Sequence, residues 1–295
     1  MLGGSMVEFE PISIGHRNNI ENIRKKQNHL LSSHAFSSVF LWRNKMKLGI
    51  SLNDRLFCIK REDLSNHYFF PCGDEEDKKE LISRLMAQGN VVFQYIREED
   101  KMFLEQHFPG KFEFCAARDD WEYIYDRQEQ VKMEGGSFKH LRAKVHKGEN
   151  AHNWEIIRLS RDTMSSAAVI AHRWNDEVKH NGESADISAT MSAFENFDVL
   201  NLTGVILVGD GVPLAFAIGS EISSDTFDLH ISKTLESDID YYLKWELYKQ
   251  LPDKIKYINR EEDLGLEGIR IHKTDMKPIR FNELWKGRLG ADAIW

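Results

Sequence analysis

Two apolar runs joined by a two-residue turn constrain the fold more than any other stretch of this sequence. Residues 203–222 read TGVILVGDGVPLAFAIGSEI, and the two β-rich runs meet at Asp210-Gly211. This dipeptide between β-forming runs is a strong signal for a tight hairpin turn. Downstream, we predict a strand at 226–233 (TFDLHISK), a helix at 237–251 that Pro252 ends, and a strand at 254–259 (KIKYIN). The second half of the chain is therefore predicted to be an α/β sheet that contains an antiparallel hairpin.

The first half of the chain alternates strands and helices in a similar order. Strands are predicted at 46–52, 55–61 and 90–96, and amphipathic helices at 74–88 and 98–108. The 295 residues suffice for about two domains. We expect a first domain at 6–120 that serves as a scaffold. The second, at 121–295, includes a basic helix at 136–148 and is expected to hold the active site.

Composition excludes several functional classes. Charged residues make up 29% and the formal net charge is -8, which argues against a protein that coats nucleic acid or anionic lipid with its whole surface. The chain lacks HExxH, GxSxG, Walker and GxGxxG motifs, so we expect no metal and find no support for hydrolase, NTPase or dinucleotide chemistry. Three scattered cysteines, no signal-peptide pattern and no apolar run near membrane-span length lead us to expect a cytoplasmic protein.

The basic helix SFKHLRAKVHK (137–147) has one apolar face, which carries Phe138, Leu141 and Val145. Cationic side chains flank this face on both sides: Lys139, Arg142 and His146 on one, His140, Lys144 and Lys147 on the other. Guanidinium and ammonium groups bind phosphates, so this helix is a candidate phosphate-binding surface, including for tRNA. The alternative is a solvated face that neutralises acidic neighbours.

A polar cluster, Asn259 to Asp263 (NREED), follows the predicted strand 254–259. Ligands favour the carboxyl ends of strands in α/β sheets, so Asn259 and Arg260 are candidate substrate-binding residues. Glu261 or Glu262 could accept an α-ammonium group or act as a base on an incoming amine. In the alternative interpretation, Asn259 forms a turn, Asp263 caps a helix, and the charges form an ion-pair clasp between the two halves.

Three further side chains are candidates. His230 lies on the predicted strand 226–233 and could be a base near neutral pH, although a hydrogen-bonded histidine of the core is the favoured interpretation. Glu221 ends the preceding strand and is a second candidate base. Tyr241 lies near the start of the predicted helix 237–251 and is a candidate pocket residue, while other aromatic residues of that helix are expected in the core.

Three segments carry a resemblance to a known bacterial family. They are FSSVFLWR (36–43), YIYDRQEQVKMEGGSFKHLRAKVHK (123–147) and YINREEDLGLEGIRIHKTDMKPIRFNELW (257–285). They resemble the C-terminal catalytic domain of phosphatidylglycerol lysyltransferase. The resemblance covers most of the chain from Phe36 onward and implies two tandem GNAT (acyltransferase) domains, as in the Fem-type aminoacyltransferases. Each would be a mixed, mostly antiparallel sheet flanked by helices.

The resemblance also implies an activity. An aminoacyl group would pass from charged tRNA to an amine or hydroxyl, on a small molecule or a lipid headgroup, without a covalent enzyme intermediate. Arg142 and Lys144 would hold donor phosphates, and backbone N–H groups on splayed central strands would stabilise the oxyanion.

Two alternatives remain open. One is a CoA-dependent N-acetyltransferase with acyl-CoA as the donor; the other is a non-catalytic ligand-binding protein. In GNAT folds the loop before the helix that binds CoA pyrophosphate is glycine-rich, whereas residues 234–238 read TLESD, with two acids and no glycine. This loop argues against acetyl-CoA chemistry.

Overall fold

A computed structural model describes residues 6–180 and 187–290 of the chain, which form two compact units. Within those ranges, the first unit contains residues 6–122, 262–265 and 282–290, and the second contains the remainder of 123–281. The predicted division at residue 121 differs from this arrangement at the C-terminal end. A strand at Trp285–Leu289 pairs within the sheet of the first unit. Residues 291–295 of the predicted second domain lie outside the described residues.

The first unit is a mixed sheet with helices. Its elements, numbered along the whole chain, are β1 (Glu10–Pro11), α1 (Arg17–Lys26), α2 (Phe36–Trp42), β2 (Leu48–Leu52), β3 (Leu56–Arg61), β4 (His67–Phe69), β5 (Cys72–Gly73), α3 (Glu75–Gln88), β6 (Val92–Ile96), α4 (Glu98–His107), β7 (Phe112–Ala116) and β15 (Trp285–Leu289). The strand order is β1-β2-β3-β4-β6-β15-β7, and β5 also pairs with β3. Apolar residues of α3, such as Leu81 and Leu85, belong to one buried cluster with Phe70, Phe93 and other residues of this unit.

The second unit has a seven-stranded sheet. Its elements are β8 (Glu122–Asp126), α5 (Arg127–Lys132), α6 (Lys139–Glu149), β9 (Trp154–Arg158), α7 (Met164–His180), α8 (Ser188–Glu195), β10 (Thr203–Gly209), β11 (Val212–Glu221), β12 (Thr226–Thr234), α9 (Asp240–Gln250), β13 (Tyr257–Asn259), α10 (Glu267–Asp275) and β14 (Arg280–Asn282). The strand order is β14-β8-β13-β12-β11-β10-β9. Strands β9 to β12 pair antiparallel in succession, whereas β12 and β13 pair in parallel.

The predicted hairpin is confirmed as β10 and β11. Gly209 pairs with Val212, and the two turn residues have positive φ angles, 51° at Asp210 and 82° at Gly211. Two positive φ angles in succession define a type I′ turn, whose twist matches that of the flanking strands. The Asp-Gly dipeptide suits this turn because aspartate tolerates the left-handed region and glycine adopts it freely.

One face of the second sheet is covered by α6 and α9. The predicted apolar face of α6 (Phe138, Leu141 and Val145) is buried in a cluster with Leu243 and Leu247 of α9. Phe227, Leu229 and Ile258 of the sheet belong to the same cluster. Successive strand residues point to opposite faces, so Asp228, His230 and Asn259 project from the other face. The polar residues of the central strands are thus separated from the core that holds α6 and α9.

None of the helices within the described ranges combines the length and the apolar character that a bilayer crossing requires.

Candidate functional site

The two parallel strands of the second sheet diverge at their C-terminal ends. Strand β12 pairs with β13 from Thr226–Tyr257 to Asp228–Asn259. There β13 ends, while β12 continues beside β11 as far as Thr234. Among the residues that the structure describes, the backbone of β12 beyond Asp228 therefore has no ladder partner on the β13 side. The two strands are therefore splayed at this gap.

A β-bulge aims His230 at this gap. Ile218 pairs with Ile231 and Gly219 pairs with Leu229, so His230 is the extra residue on its strand. Bulges re-aim a side chain and are common beside active sites. Gly219 permits the close approach of the strands, because a Cβ atom there would lie 2.1 Å from the carbonyl oxygen of Asp228.

His230 is the centre of a hydrogen-bonded chain of side chains. Its Nε2 lies 2.8 Å from Ser220 Oγ and its Nδ1 lies 3.1 Å from Glu261 Oε1. Asp228 Oδ2 is 3.4 Å from Nδ1. Since a carboxylate only accepts, we assign the ring proton to Nδ1, which leaves Nε2 to accept from the Ser220 hydroxyl. Ser220, Asp228 and His230 are buried, whereas the Glu261 side chain keeps 15% of its exposure.

The backbone of Glu261 adopts a left-handed conformation, with φ of 56°. Three contacts hold it: its N–H donates to Asn259 Oδ1 (2.8 Å), and its carbonyl oxygen accepts from the N–H of Tyr123 (3.2 Å) and from Lys273 Nζ (3.2 Å). A non-glycine residue at positive φ costs free energy, so its surroundings must impose the conformation. Asn259 thus positions Glu261, and its substrate-binding role stays a prediction.

The same cluster has the spacing of metal ligands. One ligand atom each from Asp228, His230 and Glu261 lies within 4.8 Å of the others. A divalent cation bound at about 2.1 Å from each could span this spacing. The sequence pattern predicts no metal because the three residues fit no local ligand motif.

Arg260 projects to the opposite face of the sheet, into the core beside α9. It is 7% exposed, contacts the Met276 sulfur, and its guanidinium carbon lies 5.7 Å from the centre of the Tyr125 ring. Asp240 and Lys244 form an ion pair on the adjacent face of α9. Arg260 and Glu261, neighbours in the sequence, therefore serve different faces of the sheet.

The cations of α6 have partners within the second unit. Arg142 donates to the carbonyl oxygens of Met133 and Gly135. Lys144 pairs with Asp275 and donates to Tyr241 Oη (3.0 Å). Burial alone would lower the pKa of Lys144, but its bonds to Asp275 and Tyr241 raise it. The phosphate-binding role of this helix stays a prediction.

The other two predicted residues of α6 lie on its surface. His146 pairs with Glu149 at 2.9 Å, and Lys139 is exposed to solvent.

Basic side chains pair with the acidic loop before α9. Glu236 lies 2.9 Å from His152 Nε2, while His152 Nδ1 lies 2.8 Å from Asp210, and these two carboxylates raise the pKa of His152. Asp238 pairs with Lys147 of α6 at 2.8 Å. The loop that a GNAT acetyltransferase offers to pyrophosphate is thus occupied by ion pairs of the chain's own residues.

The remaining candidates lie apart from the His230 chain. Glu221 pairs with Lys254 at 2.5 Å near the surface. Tyr241 is part-buried and stacks near His272, with ring centres 4.6 Å apart. Glu262 belongs to the first unit, where burial first and the charge of Glu262 second raise the pKa of Tyr95.

Sequence reasoning missed several residues of these clusters. Ser220 and Asp228 flank His230 on one sheet face. Asp228 and His230 are two residues apart on a predicted strand, and this spacing could have indicated that they share a face. Asp240, Lys244 and Tyr248 recur at i, i+4 and i+8 on α9, a helical stripe that could have been read as one face. Ser220 carries no local signal, because its contact depends on strand register.

Comparisons with known proteins identify a family and several solved structures that this chain resembles. A family profile described as the C-terminal region of phosphatidylglycerol lysyltransferase matches residues 24–285. A conserved protein of unknown function from Bacteroides thetaiotaomicron has 25% identity and a TM-score of 0.88, with 97% of this chain and 100% of that chain covered.

Two further structures are more distant in sequence. L-PGS from Bacillus licheniformis has 12% identity and a TM-score of 0.70, with 98% of this chain and 96% of that chain covered. FemX has 9% identity and a TM-score of 0.58, with 95% of this chain and 96% of that chain covered. A search of curated protein sequences gave no match.

These likenesses confirm the predicted fold class, two GNAT-like halves with mixed, mostly antiparallel sheets flanked by helices, and a lysyltransferase-like architecture. The family profile covers well over half of the chain, and the three segments that carry the sequence resemblance lie within it. The chain therefore belongs to the family of phosphatidylglycerol lysyltransferase C-terminal domains.

Proposed function

We propose that this protein is an aminoacyltransferase whose chemistry takes place where β12 and β13 diverge in the second unit. The observation that carries the proposal is the chain Ser220–His230–Glu261 beside that gap. It ends in a carboxylate that retains some exposure, and among the described residues Glu261 Oε2 has no hydrogen-bond partner. Glu261 is thus held in a fixed orientation with one oxygen available to a substrate.

Glu261 acts as the general base in this proposal. The acceptor amine or hydroxyl attacks the ester carbonyl carbon of the donor, and its proton passes to Glu261 as the new C–N or C–O bond forms. The tetrahedral oxyanion is stabilised by backbone N–H groups at the diverging strands. The intermediate then collapses, the ester C–O bond breaks, and the proton moves to the leaving ribose oxygen. Every atom is accounted for without a covalent enzyme intermediate.

His230 and Ser220 are positioning residues. The Nδ1–H of His230 donates to Oε1 and so fixes which oxygen of Glu261 faces the substrate. Ser220 donates its hydroxyl proton to Nε2 and so holds the orientation of the His230 ring. Of the two glutamates that the sequence offers, Glu261 suits the role because its contacts lie in the same unit as the diverging strands.

The donor is proposed to be charged tRNA, as the family implies, and the acceptor an amine or a hydroxyl, on a small molecule or a lipid headgroup. An acyl-CoA donor is disfavoured because ion pairs already occupy the loop before α9. Non-catalytic ligand binding is the remaining alternative, and it predicts binding without turnover.

The test is transfer of radiolabelled lysine from lysyl-tRNA to phosphatidylglycerol micelles or to a panel of primary amines. We expect Glu261→Gln to lower kcat by about 100-fold, because general base catalysis contributes that order, while the KM for lysyl-tRNA stays unchanged. Glu155→Gln, an exposed change on β9 in the same unit, is the matched control and should leave both constants unchanged.

Two results would contradict the proposal in different ways. If Glu261→Gln raises the KM for lysyl-tRNA but not for its N-acetylated form, Glu261 binds the α-ammonium group and is not the base. If wild type binds lysyl-tRNA but transfers lysine to no acceptor of the panel, the non-catalytic alternative replaces the enzyme.

A further inference from the structure

Three cationic side chains are buried close together beside α9. Lys244 is 1% exposed, and Arg260 and Lys273 are each 7% exposed. Burial lowers the pKa of Lys244 to about 8, and the charges of Arg260 and Lys273 add to this lowering. The three groups therefore share one electrostatic environment.

Asp240 is the carboxylate that pairs with Lys244, and its charge also acts on Arg260. Asp240 pairs with Lys244, and its other oxygen lies 2.9 Å from His272 Nε2. Burial lowers the pKa of His272 to about 4, so this ring is neutral at pH 7. Lys273 donates to the backbone carbonyl oxygens of Arg260 and Glu261. No carboxylate of the described residues lies within 4.0 Å of the Arg260 guanidinium.

A buried hydroxyl faces the same cluster. Tyr248 is 1% exposed, and among the described residues its hydroxyl oxygen has no hydrogen-bond partner. It follows Asp240 and Lys244 on one face of α9 at intervals of four residues. Arg260 lies close enough to act on the pKa of Tyr248, which burial raises to about 12. A buried hydroxyl without a hydrogen-bond partner costs free energy unless a ligand satisfies it, and the Arg260 guanidinium, which contacts the Met276 sulfur, has no carboxylate partner among the described residues.

We propose that Lys244, Arg260 and Tyr248 form a binding site for the phosphate of a phosphate ester. Arginine offers a planar fork for two oxygens, lysine a point charge, and tyrosine a single donor, which together suit a tetrahedral oxyanion. Lys244 and Arg260 against the single carboxylate of Asp240 leave a positive excess that a phosphate group would offset. Asp240 and His272 are only part-buried, with side chains 20% and 27% exposed, so the cluster reaches solvent at that side.

The location connects this site with the proposed reaction. Arg260 follows β13 at the divergence, on the α9 face of the sheet, whereas Glu261 and His230 serve the other face. A donor with its phosphate against α9 would place its ester carbonyl in the gap, and the acceptor would approach Glu261 from the opposite face. The phosphate site adds a donor-binding site to the proposed function. It rests on that function in one respect, that the donor is the molecule that carries the phosphate.

The test is thermal unfolding of the full chain with inorganic phosphate, at an ionic strength held constant with sodium chloride. Phosphate should raise the Tm of wild type, because a ligand that binds only the folded state stabilises it. Tyr248→Phe removes the hydroxyl alone, so its Tm without phosphate should equal or exceed that of wild type, and about tenfold more phosphate should be needed for the same shift. Tyr242→Phe changes a buried tyrosine on the same helix and is the matched control, with the wild-type response expected.

The source of the phosphate is distinguished by competition. A CCA trinucleotide that reduces the phosphate-dependent shift identifies the end of a tRNA as the carrier, whereas coenzyme A as the competitor identifies an acyl-CoA donor. No shift in wild type, or an equal phosphate requirement in Tyr248→Phe and wild type, overturns the site.

Failure of the site and failure of the proposed function give different results, because phosphate binding is measured without turnover. Lysyl transfer without a phosphate shift overturns the site alone. A phosphate shift without transfer overturns the proposed function alone.

Discussion

Glu261 combines an unfavourable backbone conformation with a role at the end of a side-chain hydrogen-bond chain. Its φ of 56° is imposed by the Asn259 side chain and by the Lys273 ammonium group. Such strain persists only where surrounding contacts over-determine it, and it concentrates at functional sites. At the residue scale, the three consecutive residues therefore have different surroundings. Asn259 positions the backbone of Glu261, Arg260 faces the core, and Glu261 faces the gap.

Lys244 should make stability depend on pH in a direction opposite to that of an ordinary surface lysine. Its folded pKa, lowered by burial to about 8, lies below the value of about 10.4 for an unfolded lysine. Between these two values the unfolded chain binds more protons, so the free energy of unfolding should rise with pH in that window. Relative to Lys244→Met, wild type should gain about 2 kcal/mol between pH 8 and pH 10, measured by urea unfolding at each pH. Parallel curves for the two proteins would show that Lys244 titrates normally.

The sequence identifies some of the site residues and not others for a physical reason. Glu261 and Arg260 are prominent because they belong to a run of polar residues directly after a strand, and His230 because it is a titratable residue inside an apolar strand. Ser220 and Lys244 are ordinary in their local context: a serine on a strand and a lysine on a helix. Their importance comes from strand register and from the helix face that the core selects, and neither is encoded by local composition.

At the scale of elements, the sequence predicts which face of α6 packs in the core, but it does not decide what the polar face contacts. The apolar positions Phe138, Leu141 and Val145 are buried as the helical period requires. The cations beside them could face a ligand or the chain itself, and periodicity cannot distinguish these. In the structure, Arg142 donates to the carbonyl oxygens of the segment that connects α5 to α6.

Arg142 should therefore contribute to stability more than Lys144 does. Arg142→Ala removes donors from two backbone carbonyl groups, so we expect it to lower the free energy of unfolding by about 1–3 kcal/mol. Lys144→Ala breaks a part-exposed ion pair and should cost less than about 1 kcal/mol. Chemical denaturation of both variants measures the difference, with Arg142→Lys as the control that retains the charge but not the fork. If Arg142→Ala instead weakens binding of charged tRNA at unchanged stability, the predicted phosphate-binding role of α6 replaces the structural one.

At the scale of the whole molecule, the order of strands along the chain differs from their order in the sheet at the C-terminal end. Strand β15 lies between β6 and β7 in the first sheet, about 170 residues after β7 along the chain. A local pattern predicts that 285–289 is extended, but it cannot name a partner so far away, because pairing is chosen by side-chain packing across the whole unit. The strand that completes the first sheet therefore comes from outside the predicted boundary of the first domain.

Removal of β15 should unfold the sheet of the first unit. A chain that ends at Asn282 leaves β7 without the neighbour to which it is hydrogen-bonded, and it removes Trp285 and Leu289 from contact with the buried cluster of that unit. The loss exposes apolar surface and unpaired backbone groups on two strands at once, so we expect destabilisation of about 5 kcal/mol or more, comparable with the whole stability of a small domain. Hydrogen exchange of the amides in β6 and β7 measures it: protection should be lost in the chain that ends at Asn282 and retained in a control chain that ends at Gly290. Retained protection of the β7 amides in the shorter chain would show that the first sheet closes by another pairing and that β15 is dispensable to it.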